Sequence, residues 1–233
     1  LFGDGLYNFY SKWIRENYKS LKPILTFFRK GDKELGIAQL KNVSLNAFYT
    51  RMEARYFLVQ IYAIEGRNKE ARQLANQMHV LYPNNSFFHR YAARTNFVLG
   101  RMPEAKKIAR ELLDNIAAGK YGYGPNEGRY GSYILGYVNQ NYEKDYISAI
   151  THYELCVDFS KQNKSLESGY YLGALLGIGD LSLVHKDYLK AAKSYKLIID
   201  SKQKKSASYK KAVERIKALK KELRKARRAK SKG

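Results

Sequence analysis

Acidic residues are scarce in this sequence: 21 Asp/Glu stand against 43 Lys/Arg, a formal charge of +22 at neutral pH. That imbalance attracts anionic partners (nucleic acid, acidic lipid, acidic protein) without choosing among them. The charge is also uneven. Residues 202–233 hold fifteen Lys/Arg and two acids, Glu214 and Glu222, so this short end carries +13 of the total. One cysteine, Cys156, excludes an intrachain disulfide framework. Four prolines in 233 residues leave long stretches without a helix breaker. Long apolar runs are missing as well: YYLGALLGIG at 170–179 stops at Asp180 and is too short to span a bilayer. No secretory signal pattern opens the chain, and it begins with Leu1 rather than Met, so a removed or omitted leading segment is expected.

What is present points to helix. The apolar fraction, 45%, is enough for a buried core, and Tyr (21) and Phe (10) are plentiful. GRNKEA at 66–71 returns as GRMPEA at 100–105, 34 residues later, and GDKELG at 31–36 has the same outline. Around the first two copies, apolar residues recur at helical spacing: Leu58, Tyr62, Ala71, Ala75 and Met78, then Ala92, Ala93, Ala105, Ala109 and Leu112. Each unit is a periodic stretch, a Gly-containing turn and a second periodic stretch rich in Ala. Two irregular copies follow, with Ala149 and Ala191 in the Ala105 position and a turn expected at 141–145 and at 185–188. Their extra residues are assigned to the loop GKYGYGPNEG (119–128) and the linker QNKSLESG (162–169).

These units resemble the tetratricopeptide repeat (TPR) family: Leu58, Tyr62, Ala71 and Pro83 fit its pattern, with Val59 in place of a small residue and Asn96 in place of an aromatic. The resemblance implies an all-α, right-handed α-solenoid of four to five helix pairs. Residues 31–201 form the repeats. Residues 1–30 read as an N-terminal helical segment, with 4–18 a helix capped by Asp4, and Pro23 leaves the first pair's opening helix unidentified. Residues 202–233 read as a basic capping helix, on which Tyr209, Val213, Ile216, Leu219, Leu223 and Ala226 form one apolar face.

The resemblance also implies a concave surface lined by the first helix of each pair. On this chain the positions are Glu53, Tyr56 and Gln60, then Phe87, Arg90 and Arg94, then Tyr130, Tyr133, Tyr137 and Gln140. Tyr offers an apolar face with a hydroxyl, and Arg a planar fork for carboxylates. The family's Lys/Asn carboxylate clamp is not reproduced, so chaperone-tail binding is not implied.

Other chemistry is thin. His152 and Cys156 share a helical i, i+4 spacing, but no second ligand pair joins them, so no metal is expected. Gly119-Lys120 is followed by Tyr121 rather than Ser or Thr, which excludes a phosphate-binding P-loop. No nucleophile–base or paired-carboxylate arrangement stands out. The expectation is a noncatalytic, cofactor-free scaffold binding a protein or peptide segment, as part of a larger assembly. The Gly/Tyr stretch 119–131 reads as a contact element or a spacer. Lys220, Lys221, Arg224, Lys225, Arg227 and Arg228 would meet an anionic surface, membrane or nucleic acid, and a nucleic-acid-binding repeat protein is the alternative. The Tyr/Asn/Lys-rich composition suggests a cell-envelope or periplasmic setting, with the cytoplasm as the alternative.

Overall fold

A computed structural model describes the backbone of residues 1–230 and the side chains of residues 1–221. It is all-α among the described residues. The helices are α1 (Phe2–Asn17), α2 (Lys22–Leu25), α3 (Lys33–Asn46), α4 (Arg51–Ile64), α5 (Asn68–Leu81), α6 (Ser86–Val98), α7 (Met102–Ala117), α8 (Pro125–Val138), α9 (Tyr146–Gln162), α10 (Gly169–Val184), α11 (Tyr188–Asp200) and α12 (Ala207–Lys230). A 3₁₀ turn, Lys19–Leu21, precedes α2, and a π-helical turn, Asn139–Glu143, extends α8. Two compact units divide the chain, Leu1–Pro83 and Asn84–Gly233.

Five helix pairs result. The unidentified opening helix is α1, which packs along α3. Their crossing is close because two glycines face each other: a Cβ on Gly36 would lie 2.7 Å from both Gly5 O and Phe9 N. Helix α1 starts at Phe2, so Asp4 sits inside the first turn and is not its cap. The second pair, α4 with α5, completes a core of Phe9, Ile37, Leu40, Leu58, Ile61, Tyr62 and Ala71.

In the second unit the pairs are α6/α7, α8/α9 and α10/α11, and the first helices also touch in series: α6 meets α8, α8 meets α10 and α10 meets α12. Helix α12 thus occupies the place of a next first helix. It covers the end of the core with Ala212 and Leu219, backed by Tyr209 and Ile216. Arg215 Nε fastens it to Asp180 Oδ1 at 3.0 Å. Helix α10 contains the long apolar run and is packed by α8, α9, α11 and α12, which is why it is apolar all round. No described helix is long and apolar enough to cross a membrane.

The recurring six-residue pattern is the hinge of the α4/α5 and α6/α7 pairs. Gly66 and Gly100 take positive φ (71° and 73°), and the next residue's N–H returns five residues back: Arg67 to Tyr62 O at 2.8 Å, Arg101 to Asn96 O at 2.9 Å. This is a helix-ending closure in which glycine is unstrained. The later hinges place lysines at positive φ, Lys144 (58°) and Lys186 (60°), each followed by an Asp that caps the next helix at 3.0 Å; Asp187 N–H returns five residues to Ser182 O and Asp145 N–H six, to Asn139 O. Five residues past each hinge, Ala71, Ala105, Ala149 and Ala191 are fully buried where the second helix meets the first.

Two expected loops are shorter than the sequence suggests. Helix α8 begins at Pro125, at its first position where a missing N–H costs nothing, so Asn126, Glu127 and Gly128 are helical. Likewise the turn expected at 141–145 is largely the π-helical turn, closed by Asp145 N–H on Asn139 O at 3.0 Å. Surplus residues in these two places are thus absorbed within helices, while 163–168 remain a non-helical link between α9 and α10.

Candidate functional site

In the second unit, α6, α8 and α10 present one continuous face of rings and guanidinium groups. Helix α6 supplies Phe87, Arg90, Tyr91, Arg94 and Phe97 from positions three and four apart, which places them on one side. Helix α8 adds Tyr130, Tyr133 and Tyr137, and α10 adds Tyr170. All nine are partly exposed.

Arg90 lies over three rings, 5.5 Å from the centroid of Phe87, 5.7 Å from Tyr91 and 5.4 Å from Tyr130. Its Nη1 is 2.6 Å from Glu127 Oε1, and both side chains are largely buried (13% and 8% exposed), so this charge is already matched. Glu127 also accepts from the Gly124 N–H at 3.3 Å, half of a capping box on α8. Arg94 lies 5.6 Å over Tyr91 and within hydrogen-bonding reach of the Tyr170 hydroxyl. It has no carboxylate within ion-pair distance among the described residues, so its charge is not matched by an acid.

The rings are tightly coupled. Tyr130 and Tyr170 are 4.4 Å apart, Tyr133 and Tyr170 5.0 Å, and Phe97 and Tyr137 5.0 Å. Tyr133 and Tyr170 are both deeply set. The Tyr133 ring fills the space left by Gly173, where a Cβ would lie 2.8 Å from the ring, and burial pushes its phenol up to about 12. Burial also raises Tyr170. Gln140 is engaged inward, accepting from the Tyr153 hydroxyl at 2.8 Å.

The expected residues therefore separate into two groups. Phe87, Arg90, Arg94, Tyr130, Tyr133 and Tyr137 come together, with Tyr133 serving mainly as wall and Gln140 as a prop for Tyr153. Tyr56 and Gln60 belong to α4 in the first unit, where Tyr56 is 38% exposed and packs edge-on to Phe57 at 5.3 Å. Tyr91, Phe97 and Tyr170 went unread. Tyr91 and Phe97 were accessible from their helical spacing to Phe87 and Arg94, while Tyr170 was hidden at the head of the apolar run.

Elsewhere, Lys220 and Lys221 are exposed on α12, and Arg224, Lys225, Arg227 and Arg228 lie outside the described residues. In the stretch between α7 and α8, Tyr123 is tied to His89 Nδ1 at 3.0 Å while Tyr121 is 99% exposed. His152 and Cys156 are committed separately: His152 Nδ1 is 2.8 Å from Ser148 O, and Cys156 Sγ donates to Tyr170 O at 3.7 Å. Burial pushes the Cys156 thiol up to about 12, which suppresses thiolate chemistry. An open cleft of about 350 Å³ between α9, α10 and α11 is lined by Ile147, Ile150, Ser182, His185 and Lys190.

Neither a protein-family model nor a curated protein matches this sequence. Among solved structures, the chain named "MamA RS-1 ArsTM double mutant" matches with a TM-score of 0.54 at 15% identity, over 84% of this chain and 97% of that one. At that identity the likeness shows the fold: a TPR-like helical repeat.

Proposed function

We propose that this chain is a noncatalytic scaffold that binds an extended peptide or protein segment across α6, α8 and α10, as a member of a larger assembly. The observation that carries this reading is the band of partly exposed rings around one guanidinium with no acid partner, Arg94. Rings of this kind give contact area at low entropy cost, and an arginine fork selects carboxylates, so the favoured segment is acidic with interspersed apolar side chains. Helical repeats commonly bind on such a surface, and the TPR-like fold supports a protein partner.

The test uses the full chain against a display library of random peptides. Enriched sequences should combine carboxylates with apolar residues, and Arg94→Ala or Tyr137→Ala should weaken each selected peptide by about tenfold or more, the scale of a binding hot spot. Arg90→Ala is the wrong probe, because it strands the buried Glu127 carboxylate and costs stability instead. Enrichment indifferent to both substitutions would move the site off this face.

A further inference from the structure

Residues 18–30, YKSLKPILTFFRK, join α1 to α3 and contain four basic residues and no acid. A connection this apolar would ordinarily turn its side chains inward, yet Phe27 is 90% exposed, Ile24 60%, Phe28 54% and Leu21 39%. The backbone is turned inward instead. The Arg15 guanidinium donates to the carbonyl of Leu25 and to that of Phe28 at 2.8 Å. Tyr7 Oη donates to Arg29 O at 2.7 Å, and Ser11 Oγ to the same oxygen at 3.2 Å. Thr26 Oγ1 closes the bend on Pro23 O at 2.6 Å. The segment is therefore fastened to α1 by its carbonyls, with its apolar side chains held outward.

We propose that residues 18–30 form an interfacial anchor that docks the chain on an anionic lipid bilayer. Ile24, Phe27 and Phe28 enter the boundary between headgroups and acyl chains, and Lys19, Lys22, Arg29 and Lys30 meet the headgroup phosphates. Three features favour lipid over a protein groove. The basic residues flank the apolar tip, the order that a layered headgroup–acyl partner requires. The carbonyls of Pro23, Leu25, Phe28 and Arg29 are already bonded, so inserting the tip strands few backbone groups in an apolar phase. The segment carries positive charge alone, which matches an anionic leaflet. An apolar tip and a basic rim also supply the two signals that reversible membrane attachment needs.

The experiment is co-sedimentation of the full chain with vesicles of phosphatidylcholine, with and without phosphatidylglycerol. Wild type should partition onto the anionic vesicles alone. Ile24→Ser with Phe27→Ser, which leaves every charge and the basic α12 in place, should lower partitioning by about tenfold or more. Changing Lys19, Lys22, Arg29 and Lys30 to Gln should lower it as well. Both sets lie on the surface, and unchanged far-ultraviolet circular dichroism confirms folding. A Phe27→Trp probe in a Trp13→Phe background should shift its emission to the blue on anionic vesicles. Undiminished partitioning of the Ser variant, or an unshifted emission from the Phe27→Trp probe, overturns the anchor. So does a fall in the oligomeric mass of the Ser variant without any change in vesicle binding, which would give the patch to a second copy. Peptide selection on α6, α8 and α10 is read separately, so either proposal fails without the other.

Discussion

The α1/α3 crossing of the first unit and helix α10 of the second use glycine in opposite ways. In the first, Gly36 on α3 opposes Gly5 on α1, and what a Cβ would strike is main chain: Gly5 O and Phe9 N, both at 2.7 Å. In the second, three of the four glycines of α10 each receive a tyrosine ring from a different helix. Gly173 takes Tyr133 of α8, Gly177 takes Tyr153 of α9, and Gly179 takes Tyr195 of α11. Glycine brings backbones together between α1 and α3 and admits large rings along α10. The second arrangement lets two of the rings reach a polar group: Tyr153 reaches Gln140, and Tyr195 reaches Asp180 at 2.7 Å, the residue that also holds Arg215 of α12. Ring insertion thus links packing to the cap, which close backbone contact does not.

The comparison breaks most sharply at the glycines. Gly36→Ala should destabilise the first unit by roughly 3 kcal/mol, the upper end for overpacking, because main chain is the obstacle and the helices must separate. Gly177→Ala should cost about 2 kcal/mol, since a ring can tilt where a backbone cannot, with part of the loss arising from the strained Tyr153–Gln140 bond. Denaturant unfolding of both variants checks this, and equal or reversed costs would erase the distinction.

The inserted rings also carry a pH response. Burial raises the phenols of Tyr133 (to about 12), Tyr153 and Tyr170, and raises Tyr195 with the Asp180 bond as a further cause. A phenol raised above its ordinary value of 10.0 favours the folded state while it is neutral. For Tyr133 that contribution is whole below about pH 10 and is lost as pH climbs toward 12. Tyrosinate absorbance and circular dichroism should therefore change together in that window, and Tyr133→Phe should delay the onset. Smooth titration of all tyrosines near pH 10 with the fold intact would contradict it.

The smallest effect separates the hinges. Lys186→Gly should stabilise by up to about 1 kcal/mol by removing a strained left-handed lysine, while Gly100→Ala should destabilise by about the same amount. Thermal unfolding of the two variants gives the opposite signs directly.

The hinges were also the most legible part of the fold. Glycine followed five residues later by alanine states both the bend and the close packing in local sequence, so GRNKEA and GRMPEA revealed the period. The lysine hinges carried no such mark, because a left-handed lysine is imposed by the helices it joins. The start of α8 was misread because Gly124, Pro125, Gly128 and Gly131 together look like a loop. In fact Gly128 and Gly131 are helical positions where Phe159 and the carbonyl of Ala109 approach. The candidate site was half legible. Helical spacing and the TPR resemblance place Arg94, Tyr130 and Tyr137 on one face, but the Arg90–Glu127 pair joins residues 37 apart and was hidden behind the supposed loop. Exposure of Phe27 was equally hidden, since nothing local announces that Arg15 will turn the segment's carbonyls inward.

Helix α10 has a consequence for how such a protein diversifies. Three of its four glycines are each one half of a lock whose key stands on another helix, and two of those keys, Tyr133 and Tyr153, belong to the preceding pair. A pair moved, duplicated or exchanged alone would bring rings without cavities or cavities without rings. The second unit therefore looks like a string of interchangeable modules in its hinges, yet its interior obliges neighbouring pairs to be inherited together.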